Sequence, residues 1–259
     1  MNLVLLYPSD FLASGRVCLT GRRLQHIQEI LQPAVGDSLV VGLLDDKKGQ
    51  VLSEESACPF SSGQIGRGRI MSLTDDAVEL EVVLDIPPPA KLPVVLCVAL
   101  MRPPVLRRLL QTAAAMGVPA VHIFHCARVE KSFWQSTVLR DGDIRHELEL
   151  GLEQARDTVL PEVVLHKRFR PFAEDILPGL AGRDALVADP SGEQLEAVLR
   201  GIKPGGGSGP RVLVIGPEGG FVPFELEKFR EAGCRVASLG ERILRVETAV
   251  VALLARLYL

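Results

Sequence analysis

The sequence has no Cys-x-x-Cys pair. Its five cysteines, Cys18, Cys58, Cys97, Cys126 and Cys234, are odd in number and widely scattered, so they read as reduced thiols and not as a disulfide frame or a zinc site. No stretch approaches the roughly 18 apolar residues needed to span a bilayer; the longest candidate, Val94 to Leu100, is strand-sized. The first ten residues carry neither the basic start nor the small-residue cleavage site of a signal peptide. These absences lead to the expectation of a cytoplasmic protein with no membrane association. Also missing are the Gly-Lys-Ser/Thr of a nucleotide-binding Walker loop and the Gly-x-Ser-x-Gly elbow of a serine hydrolase. Charge of either sign is not in large excess: 29 basic against 32 acidic residues, net −3. The balance is uneven along the chain, with 7 basic and 12 acidic residues over 1–90 and 22 and 20 over 91–259. Composition alone leaves the partner open.

What is present is ample core material, 47% hydrophobic in 259 residues, enough for one large domain or two modest ones. The run from Asp85 to Pro93, with Pro87-Pro88-Pro89 inside it, is a stiff connector that no helix or sheet interior tolerates. It divides the chain into 1–88 and 92–259. Upstream, Ser38–Leu44, Gly68–Leu73 and Val78–Leu84 read as strands, the last alternating apolar and acidic with period two. One helix is expected over Gly21–Leu31, and a polar loop over Ser53–Gly66. The first third therefore reads as a small β-barrel with one helix.

Downstream, strands alternate with helices, the mark of a parallel sheet in an α/β fold. Strands are expected at Val94–Leu100, Val118–Phe124, Ala185–Asp189, Arg211–Ile215 and Cys234–Leu239. Helices are expected from Val105 to Ala114 with Gly117 as its stop, then at Asp141–Asp157, Gln194–Leu199, Phe224–Ala232 and Val246–Leu257. Lys203–Pro210 is expected to be a flexible connection. His122, His125 and Cys126 invite a metal reading, but strand positions three apart face opposite sides, so the histidines read as structural and no metal is expected.

Two stretches carry chemistry. In Val212 to Phe221, a buried strand runs into Gly216-Pro217-Glu218-Gly219-Gly220, a loop able to bring bare backbone against a ligand. In Ala237 to Ala249, another strand ends at Gly240, and Arg242-Ile243-Leu244-Arg245 leads into the last helix with Glu247 and Thr248 in its first turn. The two loops can form adjacent walls of one pocket, apolar from Leu239, Ile243 and Leu244 and charged from Glu218, Arg242, Arg245 and Glu247. Ordinary turns with helix capping would give the same pattern, so physics alone leaves both readings open.

Ile215–Phe221 and Leu239–Ala249 closely resemble the two C-terminal signatures of the ribosomal RNA small subunit methyltransferase E family. Gly21 to Ile27 with Val35-Gly36-Asp37 is similar to that family's N-terminal domain, and Leu109–Gly117, Arg128–Ser132 and Glu153 to Pro161 match its middle blocks more loosely. The chain departs from the pattern at Met101-Arg102, at Ala115-Met116-Gly117, and at Asp157, where Arg156 stands one place early. The resemblance implies an α/β fold of SPOUT type. It would have a trefoil-knotted parallel sheet with helices on both faces, preceded by a PUA-like β-barrel. It further implies a homodimer that methylates N3 of a uridine in 16S rRNA of the small ribosomal subunit, with S-adenosylmethionine as cofactor.

Carried over residue by residue, the cofactor would meet Ala188, Ile215, Gly216, Pro217, Glu218, Gly220, Leu239, Gly240, Ile243, Leu244 and Thr248. Arg22, Arg23, Arg128 and Lys131 would meet RNA. Arg245 is the candidate for stabilising the uridine anion, because an arginine cannot serve as a base at its ordinary pKa, and Glu247 is a candidate base or orienter. The competing expectation is an RNA- or ribosome-binding protein of the same fold, without turnover or with another RNA target.

Overall fold

A computed structural model describes residues 2–13, 15–46, 58–181, 185–200 and 211–258. Residues 53–57 of the loop expected over Ser53–Gly66, and all of the connection expected over Lys203–Pro210, lie outside the described residues. The chain forms two compact units, Met1–Ala90 with Glu149–Leu160, and Lys91–Leu148 with Pro161–Leu259.

In the first unit, β1 (Val4–Leu6), β2 (Phe11–Ala13), β3 (Arg16–Leu19), β4 (Ser38–Leu43), β5 (Ile65–Leu73) and β6 (Val78–Ile86) form one sheet in the order β1-β4-β5-β6-β3-β2. All neighbours are antiparallel except β1 and β4. The strand alternation is visible in burial: Val78, Leu80, Val82 and Leu84 point into the core while Glu81, Val83 and Asp85 are exposed. The single helix α1 (Gly21–His26) continues as a π-turn, Ile27–Leu31, and stops at Gln32 in the left-handed conformation, φ 47°. Leu24 and Ile27 pack into the core with Leu6, Val17, Leu19, Val41 and Ile70.

Residues 149–160 belong to this unit through backbone pairing. Asn2 and Leu3 donate to the Glu153 carbonyl at 2.9 and 3.1 Å, and Asp45 donates to Thr158 and accepts from Leu160. Gly42 permits the approach, since a Cβ there would lie 2.4 Å from the Thr158 methyl. Short β1, β2 and β3 were not anticipated; each is three or four residues, below the length at which period-two patterning registers.

The second unit is a six-stranded, wholly parallel sheet. Its strands are β7 (Val95–Ala99), β8 (Ala120–Phe124), β9 (Glu162–His166), β10 (Ala185–Gln194), β11 (Val212–Ile215) and β12 (Arg235–Ser238), in the order β12-β10-β11-β7-β8-β9. The helices are α2 (Pro103–Ala115), α3 (Asp141–Ala155), whose last turns lie in the first unit, α4 (Phe169–Pro171), α5 (Leu177–Ala181), α6 (Leu195–Arg200), α7 (Pro223–Glu231) and α8 (Val246–Tyr258). From β7 the chain builds outward through β8 to β9. It then crosses to the other side, where β11 inserts between β10 and β7. That reversal brings the loops leaving β10, β11 and β12 together at the carboxyl ends of the strands, where open α/β sheets bind ligands.

Candidate functional site

A cavity of about 770 Å3 opens at this end of the second unit, a volume typical of a small-ligand site. Its walls are Ala188-Asp189-Pro190 at the bulge within β10, Ile215 to Phe221 at the end of β11, and Ala237 to Gly240 with Arg242 to Glu247 at the end of β12, closed on one side by Arg102, the N-cap of α2, and by Pro104, Val105 and Arg108 of α2.

Each loop has a local reason for its shape. Gly216 lies against Phe221, whose ring would be 3.1 Å from an added Cβ. Gly220 and Gly240 have φ of +72° and +126°, backbone that disfavours any side chain, and a Cβ at Gly240 would meet nothing within 4 Å. Ser238 pins the β12 loop: its hydroxyl accepts from the Gly240 N–H and donates to the Gly240 carbonyl, both at 3.2 Å. On β10, Ala188 and Glu193 both pair with Ala237, so the four residues between them bulge out of the ladder. Asp189 Oδ1 accepts from the Ser191 N–H at 2.9 Å and its hydroxyl at 2.6 Å, which fixes that bulge.

Two of the three carboxylates in the wall, Glu218 and Glu247, meet arginines of α2 or its N-cap. Arg102 reaches Glu218 at 3.4 Å and Arg108 reaches Glu247 at 3.3 Å. Glu247 is held below the usual carboxylate range by the backbone N–H at the start of α8, then by Arg108 and Arg245. A carboxylate so stabilised is a poor proton acceptor at neutral pH. Arg242 and Arg245 are exposed at the cavity mouth, as are Ile243 at 85% and Leu244 at 39%. The apolar wall expected from Ile243 and Leu244 is therefore a rim open to water.

Behind the β11 loop stands Glu225, 2% exposed. Its Oε1 accepts from the Ala127 N–H at 2.6 Å and its Oε2 from the Val222 N–H at 3.0 Å. The neighbouring Arg128 donates to the Gly219 carbonyl, and its aliphatic stem lies 3.2 Å from where a Gly219 Cβ would be. The Cys126 thiol is pushed up to about 12 by burial and by the Glu225 charge, so it is not a nucleophile.

The structure brings Ala188, Ile215, Gly216, Pro217, Glu218, Gly220, Leu239, Gly240, Ile243, Leu244, Arg245 and Glu247 to one cavity. Thr248 is exposed outside that wall, and Ala249 lines it from α8 instead. Arg128 backs the β11 loop, and Lys131 is exposed at the start of the 3-10 turn Lys131–Gln135. Arg22 and Arg23 lie in the first unit, each in a two-pronged ion pair: Arg22 with the buried Glu153 at 3.0 and 2.9 Å, Arg23 with Asp10 at 2.5 and 2.7 Å. His122 and His125 have separate partners. His122 Nδ1 lies 2.9 Å from His166 Nε2 with the rings stacked, while His125 Nδ1 accepts from the Trp134 indole at 3.0 Å.

Sequence reasoning missed Arg102, Arg108, Asp189, Pro190 and Glu225. Only Glu225 had a local signal: it stands at N3 of a helix opened by Pro223, where a carboxylate can reach back to the N-cap backbone.

A family model described as RNA methyltransferase domain matches residues 88–258. The ribosomal RNA small subunit methyltransferase E of Treponema pallidum is 26% identical over 97% of this chain and 88% of its own length. Ribosomal RNA small subunit methyltransferase E 1 of Borreliella burgdorferi is 22% identical over 97% and 95%. Among solved structures, the ribosomal RNA small subunit methyltransferase E of Neisseria gonorrhoeae bound to S-adenosylmethionine superposes with a TM-score of 0.70 at 19% identity. It covers 98% of this chain and 96% of that one.

Proposed function

Because the chain belongs to the RNA methyltransferase domain family and, within it, to the ribosomal RNA small subunit methyltransferase E family, we propose that it methylates N3 of a uridine in 16S rRNA, with S-adenosylmethionine as donor. The observation that carries this reading is the cavity that the β10, β11 and β12 loops build together. Its residues suit that cofactor. Apolar Ala188, Ile215 and Leu239 fit an adenosyl group, while bare backbone at Gly216, Gly220 and Gly240 permits close hydrogen bonding. When bound, the cofactor supplies a methyl group made electrophilic by its sulfonium charge.

The chain's own residues must handle the target. N3 of uridine is an imide nitrogen that has to lose its proton as it becomes a nucleophile, leaving negative charge shared with O2 and O4. Arg245, exposed at the cavity mouth, can stabilise that charge with two parallel N–H donors. Glu247 is better suited to orient Arg245 and Arg108 than to take the proton, because its carboxyl is held ionised. Arg128 and Lys131 remain proposed RNA contacts. Arg22 and Arg23 would have to meet phosphate with the guanidinium N–H groups left over from their pairs with Glu153 and Asp10.

The reading extends to a PUA-like domain over 1–88, a methyltransferase domain over 92–259 with a C-terminal trefoil knot, a homodimer, and a cytoplasmic location; among the described residues no helix is long and apolar enough to cross a membrane. The test is methyl transfer from labelled S-adenosylmethionine to purified 30S particles, followed by mass-spectrometric mapping of the modified nucleotide. A methyl group on uridine N3 of 16S rRNA is expected. Transfer to another atom or another RNA overturns the assignment. Binding of the cofactor without any transfer would favour the RNA-binding protein that has lost turnover.

A further inference from the structure

Where β9 ends and α4 begins, the sequence reads Lys167-Arg168-Phe169-Arg170, and Lys167, Arg168 and Arg170 are all exposed. None of the three forms an ion pair among the described residues. Phe169 reaches Phe224 of α7, with ring centroids 6.3 Å apart and tilted by 59°. The Arg170 guanidinium sits 5.3 Å above the Phe224 ring. Phe224 itself, the second residue of α7, is 45% exposed. Carboxylates on the adjoining helical segments have other partners: Glu174 and Glu231 both bind Lys228, at 3.4 and 2.6 Å, Glu227 pairs with Arg230 at 3.6 Å, and Glu225 is buried on backbone N–H groups. Lys167, Arg168 and Arg170 thus present three exposed positive charges with no carboxylate paired to them among the described residues.

This cluster is anchored to the cofactor cavity. Phe169 packs edge-on against Phe229 at 5.4 Å, and Phe229 against Phe221 at 5.1 Å; Phe221 lines the cavity. Three ring contacts, Phe224 to Phe169 to Phe229 to Phe221, thus join the exposed patch to the wall that would hold the methyl donor.

We infer that Lys167, Arg168, Arg170 and Phe224 form a docking surface for single-stranded RNA, with backbone phosphates on the three cations and one base stacked on the Phe224 ring. Unpaired cations interleaved with an exposed aromatic ring are what sequence-tolerant single-strand binding requires. The arginines offer planar, multi-donor heads suited to phosphate; the Arg170 head now over the Phe224 ring moves onto phosphate as a base takes its place, while Lys228 Nζ stays 5.9 Å from the ring centroid. The inference rests on the reading that the chain acts on RNA, and adds a binding surface outside the cavity.

The experiment is a fluorescence-anisotropy titration of the full chain with a short uridine-rich single-stranded RNA at several salt concentrations. Proteins carrying Lys167→Ala, Arg168→Ala and Arg170→Ala together should bind at least roughly tenfold more weakly, with the log–log salt slope reduced by about two to three. Phe224→Leu, which retains apolar bulk and removes the stacking surface, should weaken binding roughly five- to a hundredfold with little change in salt slope. S-adenosylmethionine affinity and melting temperature, measured in parallel, should be unchanged. Wild-type affinity and slope in both variants would overturn the inference, and so would equal competition by a polyglutamate peptide, which would assign the patch to an acidic protein. Failure of the wild type to methylate 16S rRNA, with variant-sensitive RNA binding intact, would instead sink the proposed reaction and leave the docking surface standing.

Discussion

Glu225 and Ala127 are 98 residues apart in sequence, and the Glu225 carboxylate accepts the Ala127 N–H at 2.6 Å. Its other oxygen holds Val222, the residue after Phe221 at the end of the β11 loop. Ala127 precedes Arg128, which donates to the Gly219 carbonyl. One buried carboxylate thus fixes both the exit of the glycine loop and the segment that supports it from behind. Glu225→Gln keeps one acceptor but turns an amide NH2 against a backbone donor, at a cost on the order of 1–3 kcal/mol. A lower melting temperature is expected together with weaker S-adenosylmethionine binding by calorimetry. Arg128→Ala should weaken binding with little loss of stability. If Glu225→Gln lowers stability and leaves affinity intact, the carboxylate supports the fold alone.

The positive φ of Gly220 gives a sharper test of the same loop. A valine at +72° is strained whatever space surrounds it; the nearest atom to a Cβ there, in the Arg128 guanidinium at 3.8 Å, is at ordinary contact distance, so the cost lies in the backbone. Gly220→Val should abolish cofactor binding while far-UV circular dichroism stays close to wild type, because the strain is confined to a surface loop. Unchanged affinity would mean that this loop is not part of the cofactor site.

Legibility in the sequence followed the range of the interactions. The α2 pattern was readable because Val105, Leu106, Leu109, Leu110, Ala113 and Ala114 are all buried on one face, and Gly117 ends the helix region with φ +76°. The β9 strand was missed since no residue of Glu162–His166 is fully buried, so it lacks the alternation of a half-buried strand. The helical stretch over 169–181 was missed because Pro171, Pro178 and Gly179 read as breakers; a π-turn over Phe172–Ile176 bridges them. The cavity loops were legible through glycines at strand ends. Arg108 was not: its partner Glu247 lies 139 residues away, and no local spacing encodes such a pair.

The stacked pair His122 and His166 predicts a pH dependence. Burial lowers the His166 pKa below 6.5, so the unfolded chain binds the more protons in the window just under that value. Stability therefore rises with pH through the window: the His166 contribution is fully present above about pH 6.5 and is lost as pH falls through the folded-state value. Thermal melts from about pH 5 to about pH 7.5 should show the loss in wild type and a flatter profile in His166→Gln. Identical profiles would mean that another group carries the acid sensitivity.

The reaction step itself turns on Arg245. If it stabilises the uridine anion, Arg245→Lys keeps the charge but loses the planar two-pronged donor, and removal of such donors costs roughly a hundred- to a thousandfold in rate. Cofactor affinity should move far less, because the interaction strengthens only as N3 loses its proton. Raising the pH should partly restore the mutant, since solvent hydroxide then does more of the deprotonation. Glu247 cannot imitate that recovery: its carboxyl is held ionised below the usual range, so it has no proton left to lose as pH rises above neutral. The measurement is single-turnover methylation of 30S particles between about pH 7 and about pH 9.5, beside calorimetric cofactor titrations. A wild-type rate in Arg245→Lys would move the role elsewhere, with exposed Arg242 at the same mouth the next residue to substitute. A parallel fall in rate and affinity would make Arg245 a cofactor ligand, and anion stabilisation by this residue would be withdrawn.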